Sequence, residues 1–158
     1  MGHMSYLSCS LPGLYALRWG RKPELLDVEL YSAEIAKAHA KQGKPLVALF
    51  IMPQDSAAPD EDFRKAQARH LPEIMSHLEY AVAVFEGTGF LSSLKHSALV
   101  AIMLLSPKKA PIHVRATIDE ALISNPPGPV RFDAPTAIRE LGRRGLLTEA
   151  PMRTASAG

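Results

Sequence analysis

The sequence predicts a small α/β domain: a mixed sheet of four or five strands, opened by a β-hairpin, with four to five helices on its faces. Two observations carry this. Pro45–Met52, Tyr80–Phe85 and Ile112–Val114 are short, largely apolar runs, and a stretch of helical spacing separates each from the next. Two further short strands, Tyr6–Ser10 and Leu14–Trp19, flank Pro12-Gly13, which is turn chemistry. A strand that is apolar on both faces needs helices on both sides, as in parallel and mixed sheets.

The elements follow in order. The hairpin holds Cys9. Pro23 suits the first turn of a helix over about Glu24–Gln42, with Leu26, Leu30, Tyr31, Ile35 and Ala38 on its apolar face. Gly43 stops that helix, and Pro45 opens the next strand. An irregular Pro/Ala-rich stretch follows Met52. Asp60 then caps a second helix whose Glu61 and Asp62 suit the positive end of the dipole. Its stripe is Phe63, Ala66, Leu71 and Ile74, and Pro72 is expected to kink or restart it. Tyr80–Phe85 is the second buried strand. Gly87-Thr88-Gly89 leads into a third helix, Phe90–Leu105, apolar nearly all round in its second half and expected to be central and covered. After the strand Pro111–Arg115, the capping box Thr117-Ile118-Asp119-Glu120 starts a short helix, which Asn125–Pro129 ends. A last amphipathic segment, about Ala134–Leu147, uses Ile138, Leu141 and Leu146. The expected division is an expression scar at 1–4, an α/β domain at 5–125, a C-terminal helical appendage at 126–148 and a disordered tail at 149–158.

Composition narrows the function classes. The 158 residues suffice for one domain with a real core, and 47% hydrophobic with 22% charged residues is ordinary globular composition. A formal net charge of +2 makes no strong case for nucleic acid or an anionic membrane. The longest apolar run, Ala98–Leu105, is far short of the roughly 20 residues that span a bilayer. The single cysteine, Cys9, excludes an internal disulfide and a cysteine-built metal site, and fits a cytoplasm that keeps thiols reduced.

Several residues invite chemistry. The six histidines form no His-x-His or His-x-x-x-His pair, and between His70 and His77 the proline at 72 disturbs the two-turn spacing, so no metal site is assigned. Gly87-Thr88-Gly89 stands where helix-start N–H groups would hold an anion or contact a partner, but it lacks the third glycine and the phosphate-loop lysine; a tight strand-to-helix turn accounts for it as well. Ser56, after Asp55, is a phosphorylation candidate beside the second helix start, set in what also reads as an ordinary loop. Arg18, Trp19 and Arg21 form a candidate contact patch. No serine elbow or cysteine–histidine pairing supports nucleophilic catalysis, and no catalytic residue, cofactor or metal is assigned.

The order hairpin, helix, strand, helix, strand, helix, strand, helix resembles the STAS domain, the fold of anti-sigma-factor antagonists of the SpoIIAA type, over roughly Tyr6 to Ser124. The likeness lies in that order and in the texture of Lys44–Phe50, Phe85–Phe90 and Ile118–Leu122. In that family a serine in an Asp-Ser-x-Gly setting takes a regulatory phosphate. Here Asp55-Ser56 is followed by Ala57-Ala58 and lies before the helix cap. The resemblance implies a non-catalytic regulatory or scaffolding module that binds a protein partner. Related domains bind apolar or nucleotide ligands, which keeps a small-molecule carrier or sensor open, with Met52, Met75 and Met103 as adaptable lining. A small enzyme using His96 or Asp55 is the third reading. The edge strand Tyr6–Ser10 leaves both monomer and homodimer open.

Overall fold

The computed structural model describes residues 5–20, 22–54, 59–87, 97, 99–100 and 112–147. Its strands are β1 (Tyr6–Leu11), β2 (Leu14–Trp19), β3 (Leu46–Met52), β4 (Leu78–Phe85) and β5 (Ile112–Arg115). They form one mixed sheet in the order β1-β2-β3-β4-β5, so the chain is an α/β protein. β1 pairs antiparallel with β2, and every later neighbour is parallel. At the hairpin, Gly13 follows Pro12 with a φ of +80°, and a Cβ there would lie 2.4 Å from the Arg131 carbonyl oxygen. Only glycine meets both demands.

The parallel strands advance in one direction across the sheet. Right-handed crossovers therefore place α1 (Leu25–Gln42) and α2 (Glu61–Ser76) on the same face, where they pack together. A π-helical turn (Glu120–Ser124) and α3 (Ala134–Arg143) cover the opposite face. Alternation along the strands divides the core. Leu14, Ala16, Val47, Leu49, Ile51, Val82 and Val84 pack towards α3, whereas Tyr15, Leu17, Trp19, Leu46 and Ala48 pack towards α1 and α2. The segment read as an appendage thus contributes Ala137, Leu141, Leu146 and Leu147 to the main core.

Local signals set the helix ends. Glu24 and Asp27 close a capping box at α1, the Glu24 N–H donating to the Asp27 carboxylate at 2.7 Å, and Gly43 at φ +77° ends the helix. Asp60 accepts from the Phe63 N–H at 2.9 Å, as expected of the α2 cap. Glu120 donates its N–H to Thr117 Oγ1 at 3.0 Å, which starts the turn that becomes π-helical.

Two local expectations change. Leu26 and Leu30 are 62% and 47% exposed; the buried stripe of α1 is Val28, Tyr31, Ile35 and Ala38, with Asp27 and Ser32 beside it. Two apolar stripes overlap on this helix, and the one that seats Tyr31 among the aromatic side chains faces the sheet. α2 also runs unbroken through Pro72. Proline at this position lacks the N–H that would bond to the Ala68 carbonyl, so the helix continues with one fewer intrahelical hydrogen bond. Of the expected third helix, Ser97, Leu99 and Val100 are helical, with Val100 43% exposed; the rest lies outside the described residues.

Because α3 forms a core layer, Leu141→Ala is expected to destabilise the fold by about 2–5 kcal/mol in urea unfolding followed by circular dichroism. A loss under about 1 kcal/mol would mean that this layer is dispensable.

Candidate functional site

Among the described residues, polar groups converge at the carboxyl ends of the parallel strands and at the free edge of the hairpin.

At the strand ends, Arg18 holds Glu86 in a two-pronged ion pair with nitrogen–oxygen distances of 3.1 and 3.0 Å. The Arg18 side chain is only 16% exposed, and its Nη1 also lies 3.4 Å from the Leu146 carbonyl. Trp19 is a core residue at 4% exposure, edge-on to Tyr6, Tyr31 and Phe63. These two members of the expected contact patch therefore hold the fold together; Arg21 lies outside the described residues. Gly87 has a φ of +84°, and a Cβ on it would strike the Gln54 side chain at 2.4 Å. That is the geometry of a tight turn requiring glycine. Thr88, Gly89, Asp55, Ser56, His96 and Met103 lie outside the described residues.

The hairpin edge is built around Glu34 of α1. Its carboxylate accepts hydrogen bonds from the hydroxyls of Tyr6 at 3.0 Å, Ser8 at 2.7 Å and Tyr15 at 2.7 Å. α1 also reaches the turn through Gln42, which accepts from the Gly13 N–H at 2.9 Å and donates to the Leu11 carbonyl at 3.1 Å. Burial first, then the Glu34 charge and hydrogen bond, push the Tyr6 and Tyr15 phenols far above their usual range. Such groups are not poised to release a proton near neutrality. Beside this network runs a groove of about 640 Å³, lined by Ser8, Ser10, Glu34, Lys37, Lys41 and Lys44 among others.

The backbone of this edge is also specified. Gly20 donates its N–H to the Ser5 carbonyl at 2.8 Å, which makes that pair a hydrogen-bonded one. The alternation of an antiparallel ladder then turns the N–H and C=O groups of Tyr6, Ser8 and Ser10 away from β2. No described strand pairs with them.

His77 meets His39 of α1 rather than His70. The two Nδ1 atoms are 2.9 Å apart, so one ring donates and the other accepts. A tetrahedral zinc ion with bonds of about 2.0–2.1 Å would hold those nitrogens about 3.3 Å apart. The pair is a direct hydrogen bond between α1 and the end of α2. Among the described residues, no three His, Cys, Asp or Glu side chains converge as metal ligands. None of the described helices is long and apolar enough to cross a membrane.

An apolar cavity of about 70 Å³ lies between α2 and the sheet, lined by Trp19, Tyr31, Phe50, Phe63, Met52 and Met75 among others. Tyr31 crosses this layer and donates to Gln67 Oε1.

Sequence reasoning missed Glu34 and the His39–His77 pair. One signal for the first was present: hydroxyl side chains recur at every second position of β1, on the face that packs under α1. Compared with protein-family models, curated proteins and solved structures, the chain matches none.

All four tyrosines have raised phenol pKa values, with burial as the largest cause in each. Below the usual value near 10 both folded and unfolded states are neutral, so stability is unaffected by these groups. Above it the unfolded chain ionises and the folded chain does not, so stability falls as pH rises. Absorbance at 295 nm is expected to stay flat through pH 10 and rise together with loss of the circular-dichroism signal. In Glu34→Gln, that rise moves to lower pH and the fold loses about 1–3 kcal/mol. Two or more tyrosines titrating near 10 in the folded protein would contradict this.

Proposed function

We propose that this chain is a non-catalytic regulatory or scaffolding module that takes a protein partner at the free edge of β1. One observation carries the reading: β1 is a regular edge strand that no described strand pairs on its outer side, without a charge, a proline or a bulge in its sequence Tyr-Leu-Ser-Cys-Ser-Leu. Edges of this kind pair with other chains unless they are blunted, and charge, proline and bulges are among the usual blunting devices. The hairpin followed by alternating helix and strand supports the likeness to STAS domains, and the single buried thiol of Cys9 fits a reducing, intracellular setting.

The edge is separable from the fold. Ser10 is exposed and its N–H points outward, so Ser10→Pro removes one edge donor and no ladder bond. Cross-linking and pull-down with the wild-type and Ser10→Pro chains is the test, with circular dichroism to confirm the fold. A partner cross-linked to β1 in the wild type and lost in the variant supports the reading. Undiminished capture by Ser10→Pro refutes it.

The apolar cavity beneath α2 favours a second reading, a carrier or sensor of a small apolar ligand, with Met52 and Met75 in its wall. Native mass spectrometry before and after denaturation separates the two. A mass excess that disappears on denaturation identifies a carried ligand, whereas a clean apo mass leaves the edge-docking reading in front.

A further inference from the structure

We infer that the partner segment is an extended acidic strand, with carboxylates at alternate positions and an apolar residue between them. The inference rests on the edge-docking reading and adds the chemistry of what docks.

A strand laid on β1 pairs its backbone with Tyr6, Ser8 and Ser10. Its side chains then alternate between the two faces. Residues opposite Ser8 and Ser10 point into the groove beside α1, where Lys37, Lys41 and Lys44 are all exposed. Among the described residues, none of these lysines is ion-paired. The one carboxylate in the groove, Glu34, is already engaged by three hydroxyls. The groove therefore sets three cations against one carboxylate and presents a net positive face to an incoming strand. The residue between them points to the other face, opposite Leu7, which is 44% exposed beside Gly145. On that side Arg144 lies near Cys9 and pairs with Glu140, which Arg143 also engages, so Leu7 is the apolar surface that this residue meets.

The same charges disfavour a second copy of this chain. Two β1 edges joined about a two-fold axis would bring both lysine rows to one sheet, with no acid in either strand to offset them.

The probes are two six-residue peptides, capped at both ends, one alternating Glu with Val and the other alternating Gln with Val. Binding is read by calorimetry on the full chain, with hydrogen exchange of the β1 amides as a second measurement. The Glu/Val peptide is expected to bind about tenfold or more tightly than Gln/Val. That preference narrows at high salt. It is lost in the double variant Lys37→Glu, Lys41→Glu, which changes only exposed side chains. Bound peptide is expected to slow exchange at Tyr6, Ser8 and Ser10. Equal binding of the two peptides, with those amides protected, overturns the acidic assignment and leaves edge docking standing. Binding of either peptide without protection of those amides, or binding of neither, overturns both. A native mass showing a dimer that Ser10→Pro dissociates overturns the acidic assignment alone, because a second copy then occupies the edge.

Discussion

Two apolar faces on one pair of strands must both leave water, and the rest of the molecule answers that demand. β3 and β4 carry Val47, Leu49, Ile51, Val82 and Val84 on one side and Leu46, Ala48 and Ala81 on the other, all nearly inaccessible. Each large side chain among them gains roughly 1.5–3 kcal/mol by burial. Neither face can be left to solvent. Sequential parallel strands send their crossover helices to a single side, so α1 and α2 cover one face and cannot reach the other. The second face has to be closed by chain that comes after the sheet. The π-helical turn and α3 therefore belong to the fold's minimum.

The same geometry produces the open edge. Each parallel step lays the next strand further from β1, so the sheet grows in one direction and the hairpin stays outermost. What α1 does for β1 is hold it from above, through side chains, while no described strand pairs with its outer backbone groups. The aromatic cluster of Tyr6, Trp19, Tyr31 and Phe63 anchors the hairpin from beneath that helix, with ring centroids 5.5 to 6.3 Å apart in edge-on contact.

Legibility in the sequence followed the range of each interaction. β3, β4 and the cap of α2 were readable because their signals are local: an unbroken apolar run, and an Asp before Glu-Asp-Phe. The buried face of α1 was misread at Leu26 and Leu30 because periodicity alone cannot choose between overlapping stripes, and the deciding contacts are tertiary. Trp19 beside arginines looked like a surface patch, yet period-two alternation puts it inside while Arg18 turns to Glu86, 68 residues away. Glu34 meets hydroxyls 19, 26 and 28 residues distant, and His39 meets His77 across 38. Nothing in local spacing announces such partners.

The Glu34 network matters for binding because it fixes the edge before a partner arrives. Tyr6 and Ser8 on β1 and Tyr15 on β2 are tied to one carboxylate of α1, and Gln42 ties the turn to the same helix. A strand already ordered on its inner side loses little freedom when its outer side is paired, and that reduced ordering cost is where preorganised sites gain affinity. The charge that would select an acidic partner is likewise local. Eighteen basic and sixteen acidic residues nearly cancel over the whole chain, but between Glu34 and Asp55 the sequence holds Lys37, Lys41 and Lys44 and no acid. A helix C-terminus favours cations through its dipole, and Lys41 sits in the last turn of α1 with Lys44 just beyond it. Their field then falls on the groove beside β1, where a net charge of +2 gives no hint of it.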